Sequence, residues 1–180
     1  MGLIRTPKHS ATRSVTILER RIAPVFFEND AEILGSGVAS RSIPNLPKIT
    51  ALLIGDLEVK FFDTAEIPPQ QQVEMLWDTE ILVAQHGAGL SNMVWMKPGS
   101  LVIEIQPPLP PTIDSIFTNL AAASQLRHTI IRQDHEHAKI DLEALAEIIN
   151  APSGDSTEFH VPKQPGSVPF RLLRALPRSW

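Results

Sequence analysis

The chain contains no cysteine. That single absence excludes a disulfide framework, a thiolate metal site and a cysteine nucleophile, while saying nothing about compartment. Long apolar runs are also missing. None approaches the roughly 20 residues that a membrane-spanning helix needs. Arg5, Lys8 and Arg13 make the first residues basic, but no apolar core accompanies them, so the segment does not read as a signal peptide. Met1-Gly2-Leu3-Ile4-Arg5-Thr6 fits a myristoylation pattern formally, over a stretch short enough to arise by chance. A surplus of one charge is lacking as well: 16 basic against 20 acidic residues leave a net charge of −4, which argues against a general nucleic-acid binder. There is no Gly-x-Ser-x-Gly pentapeptide, which removes the nucleophile elbow of an α/β-hydrolase. Residues 15–27 hold no glycine, which removes the dinucleotide fingerprint after a first strand. No Asp-x-Asp pair and no His ligand spacing occurs, so no metal is expected.

What is present fits a globular domain. Apolar residues make up 43% and charged residues 20% of 180 positions, enough to bury a core. The 16 prolines are about twice the usual share. They gather in loops such as Gln106-Pro107-Pro108-Leu109-Pro110-Pro111. Residues 1–14 read as a basic flexible arm, 15–150 as the folded domain and 151–180 as a Pro-rich extension. Within the domain, strands are expected at Val15–Leu18, Leu57–Phe61, Ile81–Ala84, Leu101–Ile105 and His128–Arg132. Helices are expected from Asn29 to Leu34, from Pro68 to Trp77, from Ile113 to Gln125 behind a Thr112 cap, and from Asp141, as its own cap, to Ile149. Ile49 to Ile54 is open between helical turn and strand. Asp134-His135-Glu136-His137 reads as a loop before the last helix, because its spacing fits no standard metal site. Alternating strands and helices predict an α/β three-layer sandwich with a mostly parallel sheet.

One stretch stands apart. The apolar run Ile81-Leu82-Val83-Ala84 leads through Gln85 into His86-Gly87-Ala88-Gly89, then Leu90-Ser91-Asn92 and an apolar segment to Met96. The turn Lys97-Pro98-Gly99-Ser100 follows, and then a second apolar strand carrying Glu104. A buried strand, a glycine turn and a helix start are how α/β proteins build a ligand crevice. Glycines allow close backbone approach, and a helix start favours an anion.

The segment VAQHGAGLSNMVWMKPGSLVIEI, Val83 to Ile105, resembles the glycosyltransferase 61 family. That family is marked by a strand, His-Gly-Ala-Gly-Leu-(Ser/Thr)-Asn, a hydrophobic segment, a Pro-Gly turn and a Val-Ile-Glu strand. Upstream, Val15-Thr16-Ile17-Leu18-Glu19-Arg20-Arg21 supplies the family's strand and an arginine, and Glu28-Asn29-Asp30 supplies its asparagine. The family's second arginine has no counterpart, since Val25, Phe26 and Phe27 precede Glu28.

The resemblance implies inverting transfer of a sugar from a nucleotide sugar, a UDP-sugar in first instance, to a hydroxyl of a glycan or glycoprotein. It implies no cofactor beyond that donor and no metal. It also implies a two-domain GT-B arrangement whose C-terminal, donor-binding half is this Rossmann-like chain, with an N-terminal partner domain elsewhere. The alternative is a non-catalytic nucleotide-binding fragment or pseudoenzyme. A longer eukaryotic member would work in the Golgi or secretory lumen, and otherwise the chain would be cytoplasmic.

Candidate residues follow from the same resemblance. Gly87, Ala88 and Gly89 would offer backbone donors to the diphosphate. His86 would donate to phosphate or sugar, or else be a turn histidine bonded to backbone. Arg20 or Arg21 would pair with phosphate, or form a solvated pair at a strand end. Ser91 and Asn92 would contact the donor or cap the next helix. Glu104 would accept from ribose hydroxyls or form a salt bridge beside the site. No residue stands out as the catalytic base.

Overall fold

The computed structural model describes residues 12–19 and 41–151. Five strands form one sheet: β1 (Arg13–Leu18), β2 (Leu57–Phe62), β3 (Ile81–Gln85), β4 (Leu101–Gln106) and β5 (Arg127–Arg132). Their spatial order is β2-β1-β3-β4-β5, and all four pairings are parallel. This is one of the two common doubly wound orders. The chain runs outward from β1 to β2, then returns past β1 to add β3, β4 and β5.

β3 and β4 are buried along their whole lengths, as central parallel strands covered on both faces must be. Successive side chains feed two separate cores. On one face Val15, Ile17, Ile81, Val83, Leu101 and Ile103 pack against Leu46 and Ile49 of a 3₁₀ segment (Leu46–Ala51) and against Leu145 and Ile149 of the last helix. On the other, Leu18, Leu82, Ala84 and Val102 pack against Leu76, Leu90, Met93 and Phe117. Those four residues come from α1 (Pro69–Trp77), a 3₁₀ segment (Ala88–Trp95) and α2 (Ile116–Ala123). The last helix is α3 (Leu142–Asn150). The result is the expected Rossmann-like three-layer α/β sandwich. No helix among the described residues is long and apolar enough to cross a membrane.

Several boundaries moved for identifiable reasons. β1 starts at Arg13, two residues before Val15, because Arg13 N–H still reaches the Asp56 carbonyl at 3.1 Å and the pair continues to Leu57. The ambiguous Ile49–Ile54 stretch resolves as the end of the 3₁₀ segment, which carries Pro47 in its first turn and whose Leu46 and Ile49 are buried. α2 starts at Ile116, not Ile113. Residues 111–115 instead turn across the end of β4, where the Asp114 carbonyl accepts a hydrogen bond from Gln106 Nε2 at 2.9 Å. α3 is capped as expected: the Asp141 carboxylate accepts from Ala144 N–H at 3.0 Å. The helix expected at Asn29–Leu34 lies outside the described residues, as do residues 1–11 and 152–180.

Candidate functional site at the carboxyl end of the sheet

In a doubly wound sheet the crevice opens where the chain reverses its direction of build-up, beyond the carboxyl ends of the strands. Here that place lies between β1 and β3, which pair directly with Leu18 opposite Ala84. Two cavities flank it. The larger, of about 390 Å³, is lined by Leu18, Glu19, Gln85 and the segment Ser42, Ile43, Pro44, Leu46 and Pro47. The smaller, of about 60 Å³, is lined by Leu18, Glu19, Asp63, Thr64, Ala84, Gln85 and Gly89. Leu18, Glu19 and Gln85 are common to both.

The glycine turn leaves β3 at this point. Gly87 is nearly fully extended, with φ 156° and ψ 179°, and precedes the Ala88–Trp95 segment. That segment is 3₁₀ rather than the α-helix start anticipated from its apolar residues. Leu90, Met93 and, just beyond the segment, Met96 fall at intervals of three, the 3₁₀ repeat, and all three are buried. Gly89 lies against Leu18 and Thr64: a Cβ added there would sit 3.4 Å from Leu18 Cδ1 and 3.7 Å from Thr64 Oγ1. Ala88 and Ser91 are exposed. Asn92 caps nothing in its own segment, whose cap position is Gly87. Its Nδ2 donates to Gln72 Oε1 at 2.9 Å, and Gln72 Nε2 in turn donates to the carbonyls of Thr64 and Ile67 at 2.8 and 3.0 Å. Asn92 thus ties the turn to the start of α1 and to the Thr64 loop.

His86 is held on several sides. Its backbone N–H donates to the Ile105 carbonyl at 2.8 Å, extending the β3–β4 ladder by one step. Its carbonyl accepts from Arg41 Nη1 at 2.7 Å. Its ring meets Phe117 edge-on, with centroids 4.9 Å apart. Its Nδ1 lies 2.5 Å from Glu104 Oε1. Glu104 is wholly buried, and its other oxygen, Oε2, lies 3.0 Å from His128 Nε2. Gln106 Nε2 completes the set at 3.2 Å from Glu104 Oε1. A buried carboxylate requires such partners, since an unpaired one would be prohibitively desolvated. Both Glu104 oxygens are engaged within the protein, Oε1 by His86 and Gln106 and Oε2 by His128.

Gln85 points to the opposite face and has its own anchorage. Its Nε2 donates to Gln133 Oε1 at 2.6 Å, to the Glu136 carbonyl at 3.0 Å and to the Ser42 carbonyl at 3.3 Å. Gln133 Nε2 donates to the carbonyls of Ser42 and Ala138 at 2.9 and 2.6 Å. The Asp134–His137 stretch serves this cluster as a loop: His137 Nδ1 lies 2.9 Å from Ser42 Oγ, and Ser42 N–H donates to the Glu136 carbonyl at 2.8 Å. Among the described residues no group of three or more His, Cys, Asp or Glu is disposed to hold a metal ion.

The sheet therefore brings His86, Gly87, Ala88, Gly89 and Glu104 to one end of the fold, with Ser91 and Asn92 one turn further along the chain. Arg20 and Arg21 lie outside the described residues. Sequence reasoning missed Arg41, Gln106, His128 and Arg132. Gln106 carried a usable signal, since polar residues at 104 and 106 share one face of a strand. Arg41 and His128 carried none before strand order was known.

Comparison with known proteins places the chain in a family. The family described as Glycosyltransferase 61 matches residues 9–103, just over half the chain, from before β1 into β4. No curated protein matches significantly. Among solved structures, the fold is similar to that of a protein from Burkholderia pseudomallei K96243 described as pilus assembly-related. The two share 12% identity and a TM-score of 0.40, over 77% of this chain and 87% of that one.

Proposed function

The chain belongs to the glycosyltransferase 61 family, and from that premise we propose that the crevice between β1 and β3 binds the nucleotide-sugar donor. The carrying observation is the topological switch point of the sheet, where Gln85, the residue before the His-Gly-Ala-Gly turn, lines a cavity of about 390 Å³ and Gly89 of the turn lines the neighbouring one of about 60 Å³. The larger cavity falls within the range of about 300–1,000 Å³ usual for small-molecule sites. Its walls combine the apolar Leu18, Ile43, Pro44, Leu46 and Pro47 with polar Ser42 and Gln85 and the acidic Glu19, a mixture suited to the base and ribose of a nucleoside.

In this reading the diphosphate lies along the turn. The backbone N–H groups of Gly87, Ala88 and Gly89 face the charge that develops on the leaving group, and fixed donors in a water-poor site stabilise such charge strongly. Arg41, already anchored on the His86 carbonyl, brings a guanidinium to the same turn. Arg20 and Arg21, which follow Glu19 at the end of β1 in sequence, are further candidates for phosphate pairing. His86 bonds the donor directly, and Glu104 acts through it. Ser91 and Asn92 line the far side of the turn. Transfer goes with inversion to a glycan or protein hydroxyl, held by a second domain facing this one in a GT-B arrangement, without metal.

The experiment is calorimetric titration of the purified chain with UDP, repeated with GDP, CMP and free phosphate. Saturable binding of one nucleotide, lost on Gly89→Val in a folded protein, supports the reading. Absence of binding to every nucleotide, or binding indifferent to Gly89, overturns it.

A further inference from the structure

Leu18, Glu19 and Gln85 line both cavities at the end of the sheet, and Gln85 carries an unmet hydrogen bond there. The residue is only 6% exposed. Its Nε2 has two hydrogens and three acceptors: the Ser42 carbonyl, the Glu136 carbonyl and Gln133 Oε1. Backbone carbonyls can only accept, so turning the amide end for end would set oxygen against oxygen. Gln133 is fixed in the same way, because its Nε2 donates to the carbonyls of Ser42 and Ala138. The orientation of both amides thus follows from atoms whose roles are unambiguous. At the other end of the Gln85 amide, Oε1 is buried and accepts from no group among the described residues. Buried polar groups are nearly always paired, and an unpaired one is destabilising.

This imbalance defines what the site can take. Terminal amide torsions are broad, and with three acceptors for two hydrogens Nε2 stays paired while Oε1 shifts to meet a ligand. The group it meets must donate. Glu19, which like Gln85 stands one residue past the last β1–β3 pair of Leu18 and Ala84, also brings acceptor oxygens. A diphosphate offers acceptors and negative charge, so it gains nothing at this point. A ribose offers two hydroxyls that donate, and in a nucleoside diphosphate it joins the base to the diphosphate. We infer that Gln85 Oε1 accepts from a ribose hydroxyl of the bound nucleotide and so fixes the direction in which the nucleotide lies. The base then occupies the cavity of about 390 Å³, the ribose meets Gln85, and the diphosphate continues onto the glycine turn that begins two residues later. The ribose rests on the function proposed above; the open acceptor does not.

The test is calorimetric titration of the full chain with UDP, 2′-deoxy-UDP and 3′-deoxy-UDP, in wild type and in Gln85→Met. Wild type is expected to bind UDP about ten- to a hundredfold more tightly than one of the two deoxy analogues, because the analogue leaves the buried acceptor unpaired. Methionine keeps the length of the side chain and brings only a weak acceptor. It also removes the bonds to the loops, so affinity should fall for every nucleotide. The ratio between UDP and that deoxy analogue should nevertheless shrink to less than about threefold, whereas a merely structural Gln85 would lower all affinities together and leave the ratio intact. Gln85→Asn, which retracts the oxygen by one methylene, should shrink the ratio in the same sense and decides the matter should methionine prevent folding. Equal affinity of wild type for UDP and both deoxy analogues overturns the assignment, as does an undiminished ratio in a folded variant. UDP that does not bind wild type at all overturns the proposed function and the ribose contact with it.

Discussion

Gly89 is the position where ligand binding and stability should part most clearly. It is not one of the positive-φ glycines, which among the described residues are Gly55, Gly87 and Gly99. An alanine there would meet Leu18 Cδ1 at 3.4 Å and Thr64 side-chain atoms at 3.7 and 3.8 Å, which is ordinary van der Waals contact. Gly89→Ala should therefore fold and gain about 0.4–1 kcal/mol, through reduced freedom of the unfolded chain. Valine adds two methyl groups that must enter the cavity of about 60 Å³ shared with Leu18 and Thr64. Overpacking of that kind costs about 1–3 kcal/mol, leaving Gly89→Val folded but near or below wild-type stability. If the turn carries the diphosphate, the order for affinity is different. The alanine methyl already occupies the space through which the backbone is approached, so UDP should weaken by at least about tenfold, or 1.4 kcal/mol, in the variant that is more stable. Valine should abolish binding. Urea unfolding followed at 25 °C gives the stabilities, and calorimetry gives the affinities. Wild-type affinity in both folded variants would show that no ligand lies against Gly89.

Further outcomes follow from other parts of the molecule. Asp141→Ala removes the carboxylate that accepts from Ala144 N–H, and should cost about 0.5–2 kcal/mol in urea unfolding with UDP affinity unchanged. Ile103→Ala empties a wholly buried position at the centre of β4 and should cost about 2–5 kcal/mol, read as a drop in Tm. EDTA should leave nucleotide affinity unaltered, and restoration of lost binding by Mn²⁺ would refute the metal-free reading. The purified 180-residue chain should bind nucleotide yet show no sugar transfer, because holding two substrates in register supplies as much as about 7–11 kcal/mol of barrier reduction and the described residues form a single sheet. Robust turnover with nucleotide sugars and oligosaccharide acceptors would refute it.

The local features of this fold were legible because they depend on local periodicity. The buried run Ile81–Ala84, the alternation in Leu57–Phe61 and the Asp141 cap each express a rule that acts within a few residues. What the sequence concealed depends on register. His128 sits in the mixed strand Arg127-His128-Thr129-Ile130-Ile131-Arg132, and only the pairing of β5 with β4, His128 opposite Val102, sets it beside Glu104. Arg41 stands 45 residues from the carbonyl it anchors. The 113–115 stretch has helical spacing, but Gln106 at the end of β4 needs an acceptor and captures the Asp114 carbonyl, so tertiary demand overrides propensity. The same limit explains the Ala88–Trp95 segment: apolar residues announced a helix, and its three-residue hydrogen bonds, Leu90 N–H to the Gly87 carbonyl at 2.9 Å and Met96 N–H to the Met93 carbonyl at 3.0 Å, make it 3₁₀ rather than α.

These nonlocal contacts share one consequence for the crevice. The last residue of β3 and the one after it point to opposite faces of the sheet, and each is tied to a separate polar cluster. Gln85 is fixed by Gln133, Ser42 and Glu136 on one side, and His86 by Glu104 and Arg41 on the other. The glycine turn begins immediately after this doubly anchored pair. Glycines are conformationally permissive, so a turn built from them would ordinarily lose much of a bound ligand's interaction energy to ordering. Here the two residues before the turn are held by the side chains of Glu104, Arg41 and Gln133 and by the Ser42 and Glu136 carbonyls. Backbone donors that start from a rigid base need little rearrangement as charge develops. Under the proposed function, residues beyond the matched segment 9–103, among them Glu104, Gln133 and Glu136, would hold still a turn whose backbone N–H groups serve as the donors.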